Sequence, residues 1–93
     1  MSQDPPFDLQ ITATARRQLS EQLPEAIAFA AYEFICGPLL QNPYRVGKPF
    51  MPPLYDRRSA RRGTYRVLYR IDDANRRVTV LAIGPRADIY RPG

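Results

Sequence analysis

Seven residues in the second half of this chain have side chains suited to gripping a phosphodiester. They are Arg57, Arg58, Arg61, Arg62 and Arg66, followed by Arg86 and Tyr90. A guanidinium is a rigid fork that fits phosphate oxygens and stacks on bases, and a tyrosine hydroxyl both donates and accepts a proton. Arg66 stands apart because it lies mid-run beside Leu68, where a charge is awkward unless it serves a site or an acidic partner. Arg86 follows Gly84-Pro85, with Tyr90 four residues on, which allows the two to converge. A solvated, charge-rich strand surface gives the same arginine run, and composition alone does not choose between the readings. Arg76 and Arg77 sit at a turn signal and read as turn residues. Tyr65 and Tyr69 share parity with Val67 and Ile71, so core packing explains them better than base stacking.

The chemistry open to these residues is narrowed by what the chain lacks. It has no histidine, which excludes imidazole acid–base catalysis and histidine metal ligation. One cysteine with scattered carboxylates makes no zinc site, and the five glycines form no phosphate-binding loop. Cys36, within the apolar run IAFAAYEFICGP, reads as a small core residue. An enzyme built from this chain would work with arginine, tyrosine and backbone groups.

Charge is unevenly spread. Residues 1–40 carry Arg16 and Arg17 against five carboxylates, a net of −3, whereas residues 41–93 carry twelve basic groups against four carboxylates, a net of +8. A positive field confined to one half is the footprint of a polyanion partner. With 93 residues there is room for one domain and one modest core, so 1–93 reads as a single domain. No segment approaches the roughly 20 apolar residues of a membrane span. The start, MSQDPPFD, has neither the basic region nor the apolar run of a signal peptide, and the expected location is the cytoplasm.

The elements that must hold these side chains follow from periodicity. FDLQI (7–11) alternates as a short strand. Ala15, Leu19 and Leu23 recur every four residues as a helix with Thr12 as N-cap. Pro24 suits the first turn of a second helix, which carries an apolar stripe of Ile27, Ala31, Phe34 and Ile35 and ends at Gly37-Pro38. Residues 38–53 hold five of the ten prolines and read as an ordered loop. Residues 65–71 and 77–84 form strands around Asp72–Asn75, the latter apolar on both faces and so interior to the sheet. LYDRRSAR (54–61) is a weaker strand that turns back at Arg62-Gly63. The expected fold is α+β, in the order β-α-α-β-β-β: an antiparallel four-stranded sheet with an N-terminal helical hairpin packed on one face. The other face is then left to solvent or a ligand, and the arginines alternate onto it.

TYRVLYRI (64–71), the turn, and VTVLAIGPRADIY (78–90) resemble the C-terminal half of the RelE/ParE superfamily of bacterial type II toxins, whose signature is a Gly-Tyr-Arg strand, an apolar strand and a "G-x-R…Y" ending. ITATARRQLSEQLPEAI and GPLLQNPYRVGKPF are similar to that family's helical hairpin and connecting loop. The resemblance covers residues 7–90 and is nearest the RelE branch of actinobacteria. It implies a RelE-like fold and translation-dependent mRNA cleavage in the ribosomal A site, with contacts to mRNA and ribosomal RNA. The family reaction is attack of a ribose 2′-OH on the adjacent phosphate, without metal or other cofactor.

Carried over by position, Arg66 would stabilise the transition state, Arg86 would contact the phosphate near the leaving oxygen, and Tyr90 would move the 2′-OH proton. Arg57 and Ser59 stand where the RelE type has two lysines: Arg57 keeps the charge and is expected to be catalytic with Arg66, Arg86 and Tyr90, whereas Ser59 supplies no charge. Arg58, Arg61, Arg62 and Lys48 would bind the RNA backbone. The resemblance also implies a cognate RelB-like antitoxin, acidic and apolar, that lays a helix or extended segment over sheet and groove in a toxin–antitoxin hetero-oligomer. Ending at Gly93, the chain is expected to have the family's final helix short or missing. The same fold also suits a ParE-type DNA gyrase inhibitor that acts by binding, or an RNA-binding module without activity of its own.

Overall fold

The computed structural model describes residues 5–49 and 57–85. Strand β1 (Asp8–Ile11) leads into helix α1 (Ala13–Arg17), which continues as a wider π-helical stretch, Gln18–Gln22. Leu23 and Pro24 are extended and break the helix, and α2 (Glu25–Phe34) follows, continuing as a second π-helical stretch, Ile35–Leu39. Strands β2 (Lys48–Pro49), β3 (Arg58–Arg62), β4 (Tyr65–Asp72) and β5 (Arg77–Pro85) complete the order. No helix among the described residues is long and apolar enough to cross a membrane.

The sheet has five strands in the order β1-β5-β4-β3-β2, and it is mixed. This corrects the four-stranded antiparallel expectation twice. First, β1 pairs parallel to β5, Asp8 opposite Arg77 and Ile11 opposite Val80. That pairing joins distant parts of the chain and leaves no local mark in the sequence. Second, the proline-rich segment hides β2, whose Lys48 and Pro49 pair with Ser59 and Arg58. Pro49 is tolerated because β2 is an edge strand with one side free of ladder bonds. Strand β5, flanked by β1 and β4, is interior as its two-sided apolar pattern requires.

Thr12 is the N-cap of α1, accepting a hydrogen bond from the Ala15 amide at 3.2 Å. It does more than cap. Strand β1 stops opposite Val80, and the edge of β5 beyond that point is finished by helix side chains. The Thr12 hydroxyl donates to the Leu81 carbonyl at 2.9 Å, and Gln18 Oε1 accepts from the Ile83 amide at 2.6 Å. The ladder shifts register here, Leu68 facing Ala82 and Tyr69 facing Val80, which makes Leu81 the extra residue of a β-bulge. The bulge lets Val80 and Ile83, three positions apart, both face the core.

The core lies between the helices and one sheet face. Ala15, Ala31, Phe34, Ile35 and Leu39 pack there with Val67, Tyr69, Val78, Val80 and Ile83. The α2 stripe is as read from periodicity, but the helix does not stop at Gly37-Pro38. The turn widens over Ile35–Leu39, which makes room for a proline ring that would clash with the carbonyl four residues back. Cys36 is exposed, not in the core. The next residue after Ile35 is rotated around the helix axis, which carries the Cys36 thiol off the packed stripe.

Candidate functional site

Strand parity sorts the arginines. On β4, Tyr65, Val67 and Tyr69 are buried toward the helices, so Arg66, Leu68 and Arg70 belong to the opposite face. Across the β3–β4 ladder, Arg61 is opposite Arg66 and Ser59 opposite Leu68, while β2 sets Lys48 opposite Ser59. The open face therefore has one row of Arg61 and Arg66 and a second of Lys48, Ser59 and Leu68. On its other side Arg66 faces Gly84, which has no side chain to fill the space. Arg66 donates from Nη1 to the Ser59 hydroxyl at 3.4 Å, tying the two rows together.

A cleft of about 320 Å³ opens at this point, lined by Arg61, Gly63, Thr64, Tyr65 and Arg66. Its rim is the two-residue loop Gly63-Thr64, between Arg62 and its partner Tyr65. That is one position later than the turn read from the sequence, and Gly63 takes a φ of 58°. Residues 57–71 hold six arginines and no carboxylate. Arg57, half-buried, lies just before β3 with the parity of Ser59 and Arg61, and its Nε is shielded from solvent.

Arg58 and Arg62 have the opposite parity. Arg58 donates from Nη2 to the carbonyls of Tyr44 and Gly47 at 2.8 and 2.9 Å, and its guanidinium lies 5.3 Å from the Tyr44 ring centroid. The Tyr69 hydroxyl donates to the Pro43 carbonyl at 2.5 Å, and the Tyr44 hydroxyl donates to Asp73 Oδ2. These bonds clamp loop 43–47 to the sheet and so set β2 against β3. Burial pushes the Tyr69 phenol up, with the Arg58 guanidinium opposing it; the hydrogen bond to Asp73 does the same to Tyr44. Gly47 is needed in this clamp, since a Cβ there would meet the Ser59 carbonyl oxygen at 2.8 Å. Arg62 lies 4.3 Å from the Phe34 ring centroid, joining β3 to α2.

Arg76, read as a turn residue, does sit in the turn, with a φ of 47°. It also holds the N-terminal segment, stacking 4.3 Å over Phe7 and donating to the Pro5 carbonyl at 2.5 Å. Arg86 and Tyr90 lie outside the described residues. What composition missed was the division of labour among arginines: Arg58 and Arg62 follow the parity of Ala60, the one apolar position in β3, and that was the available signal.

Known proteins are similar to this chain in sequence and fold. Residues 9–90 fit the family model described as ParE toxin of type II toxin-antitoxin system, parDE. The chain belongs to this family. It is 53% identical over 91 residues to Toxin RelE of Mycobacterium tuberculosis, covering 98% of this chain and 93% of that protein. To Toxin RelG of the same organism it is 51% identical over 86 residues, 92% of this chain and 98% of that one. Among solved structures, the toxin–antitoxin complex RelBE2 of M. tuberculosis contains a chain that superposes with a TM-score of 0.83 at 48% identity, covering 88% of this chain and all of that one. The RelE-like fold expected from the strand motifs is thus the fold of this family member.

Proposed function

We propose that this chain is the toxin of a type II toxin–antitoxin pair and an endoribonuclease that cuts mRNA on the ribosome, acting in the cytoplasm without a metal. The observation that carries this reading is Arg66 on the open face, opposite Arg61 and facing Gly84, at a cleft whose described lining residues include no carboxylate. The arrangement suits a phosphodiester passing through a pentacoordinate transition state with extra negative charge. Fixed guanidinium donors stabilise that charge more than the ground state, which is what lowers the barrier.

In this mechanism Arg66 binds the non-bridging phosphate oxygens, and Arg86 contacts the phosphate near the leaving oxygen. Tyr90 takes the proton of the attacking 2′-OH. Arg57, Arg61 and Lys48 hold the RNA backbone so that the 2′-oxygen, phosphorus and leaving oxygen lie in line. Arg58 supports the site from the helix face through the 43–47 loop, and Arg62 only joins β3 to α2. Base contacts and A-site geometry would supply the dependence on the ribosome.

The partner is a RelB-like antitoxin; the similar M. tuberculosis structure is itself a toxin–antitoxin complex. An apolar groove of about 570 Å³ between the two helices supports a partner on this chain. Ile11, Leu19, Phe29 and Tyr32 line it, and Phe29 and Tyr32 are 66% and 53% exposed. A partner that binds only the folded state adds stability by mass action, useful to a chain of this size.

The family model's description favours a second reading, gyrase inhibition of the ParE kind. Induced expression in a bacterial host separates the two, with growth and mRNA 5′ ends followed for wild type, Arg86→Ala and Tyr90→Phe. New cuts inside coding sequence, lost in both variants together with growth arrest, are expected. Arrest with intact mRNA and undiminished toxicity of Tyr90→Phe would move the chain to the gyrase-inhibitor branch.

A further inference from the structure

Cleavage by a 2′-oxygen leaves a 5′-oxygen that must be protonated as it departs, because a bare alkoxide is a poor leaving group. The open face is rich in cations, yet nearly all are arginines, and a guanidinium is a poor proton donor because it stays charged. The chain has no histidine, and one lysine among its fourteen basic residues. That lysine, Lys48, lies on β2 directly opposite Ser59, whose hydroxyl accepts the hydrogen bond from Arg66. Directly opposed residues in an antiparallel pair have their Cβ atoms about 4.5–5.5 Å apart on the same face. Lys48 is exposed and Ser59 is small, which leaves the ammonium free to extend over Ser59 toward the phosphate held by Arg66.

We infer that Lys48 is the general acid of the cleavage reaction, protonating the departing 5′-oxygen; this rests on the nuclease reading above. The 2′-oxygen–phosphorus bond forms as the phosphorus–5′-oxygen bond breaks. The 2′-hydroxyl proton passes to the base of the nuclease reading, and the Lys48 ammonium gives its proton to the 5′-oxygen. The products are a 2′,3′-cyclic phosphate and a 5′-hydroxyl end, and both side chains are restored by exchange with water. The Arg58–Gly47–Tyr69 clamp then has a catalytic consequence, because it fixes the strand that carries Lys48.

The test uses the full chain and ribosomes programmed with an mRNA carrying, at the cut position, either the natural 5′-oxygen or a bridging sulfur. A thiolate leaves without help from an acid. Lys48→Arg keeps the charge and removes the donor, and Lys48→Ala removes both; thermal unfolding confirms that each folds. On the oxygen substrate Lys48→Arg is expected to cut about 10²-fold or more slowly than wild type. On the sulfur substrate it returns to near the wild-type rate, whereas Lys48→Ala recovers only in part. Lys48→Arg cutting the oxygen substrate at the wild-type rate, or remaining equally slow on both, overturns the assignment to Lys48 while leaving the nuclease intact. Failure of the wild type to cut either substrate overturns the nuclease reading and this inference with it.

Discussion

The two faces of the sheet are built from the same strands, yet they do opposite work. Toward the helices, β4 presents Tyr65, Val67 and Tyr69, all buried. Away from them it presents Arg66, Leu68 and Arg70. Position along the strand matters less than parity. Arg61 and Arg62 are neighbours in sequence, but Arg61 lines the cleft with Arg66 while Arg62 stacks on Phe34 of α2. The helix face stores the folding energy, and the open face, relieved of packing, holds a charge density that packing would forbid.

This contrast is open to attack from either side. On the helix face, Ile83→Ala removes a fully buried side chain and should destabilise the protein by about 2–5 kcal/mol, read by urea unfolding. An unaltered midpoint would mean that the core is not where the sheet and helices meet. On the open face, Arg66→Ala should slow mRNA cleavage by about 10²–10³-fold with little change in melting temperature. A large drop in melting temperature instead would mark Arg66 as structural.

Gly47→Ala tests the link between the faces. The added methyl collides with the Ser59 backbone, and overpacking of this kind costs about 1–3 kcal/mol. It should also slow cleavage by shifting β2, whereas a loss of stability alone would uncouple the clamp from the site. The smallest effect concerns pH. Burial raises the Tyr69 phenol, so its folded pKa lies above the unfolded one. The stability this contributes is present below about pH 10 and is lost as pH rises through the folded value. Tyr69→Phe loses about 1 kcal/mol at neutral pH with the hydrogen bond to Pro43, and its stability should decline less above about pH 10 than that of wild type. Parallel decline of the two would assign the alkaline loss to other tyrosines.

Much of this division is legible in the amino-acid sequence. The alternation of 65–71 places Tyr65 and Tyr69 in the core and Arg66 outside it, and Thr12 announces the helix start through its capping chemistry. What escapes is non-local or context-dependent. Parallel pairing of β1 with β5 depends on a contact between distant segments, and a two-residue strand inside a proline-rich stretch has no period to detect. Cys36 lies in an apolar run yet faces solvent, because a helix sorts residues by angle and not by neighbourhood. At the site, arginines of both parities on β3 look equivalent when counted as charge. The ladder separates them, and it also brings Lys48 beside Ser59 from a segment whose prolines mark it only as loop.

The central claim is tested most directly by comparing Arg66→Ala with Arg62→Ala in a purified ribosome-programmed cleavage assay, at equal folded fraction. Arg66→Ala should lose at least about 10²-fold in rate, while Arg62→Ala cuts near the wild-type rate and loses only about 0.5–1 kcal/mol of stability with its contact to Phe34. Equal losses of rate in the two variants, or wild-type cleavage by Arg66→Ala, would contradict the claim that strand parity separates the reactive face from the packed one.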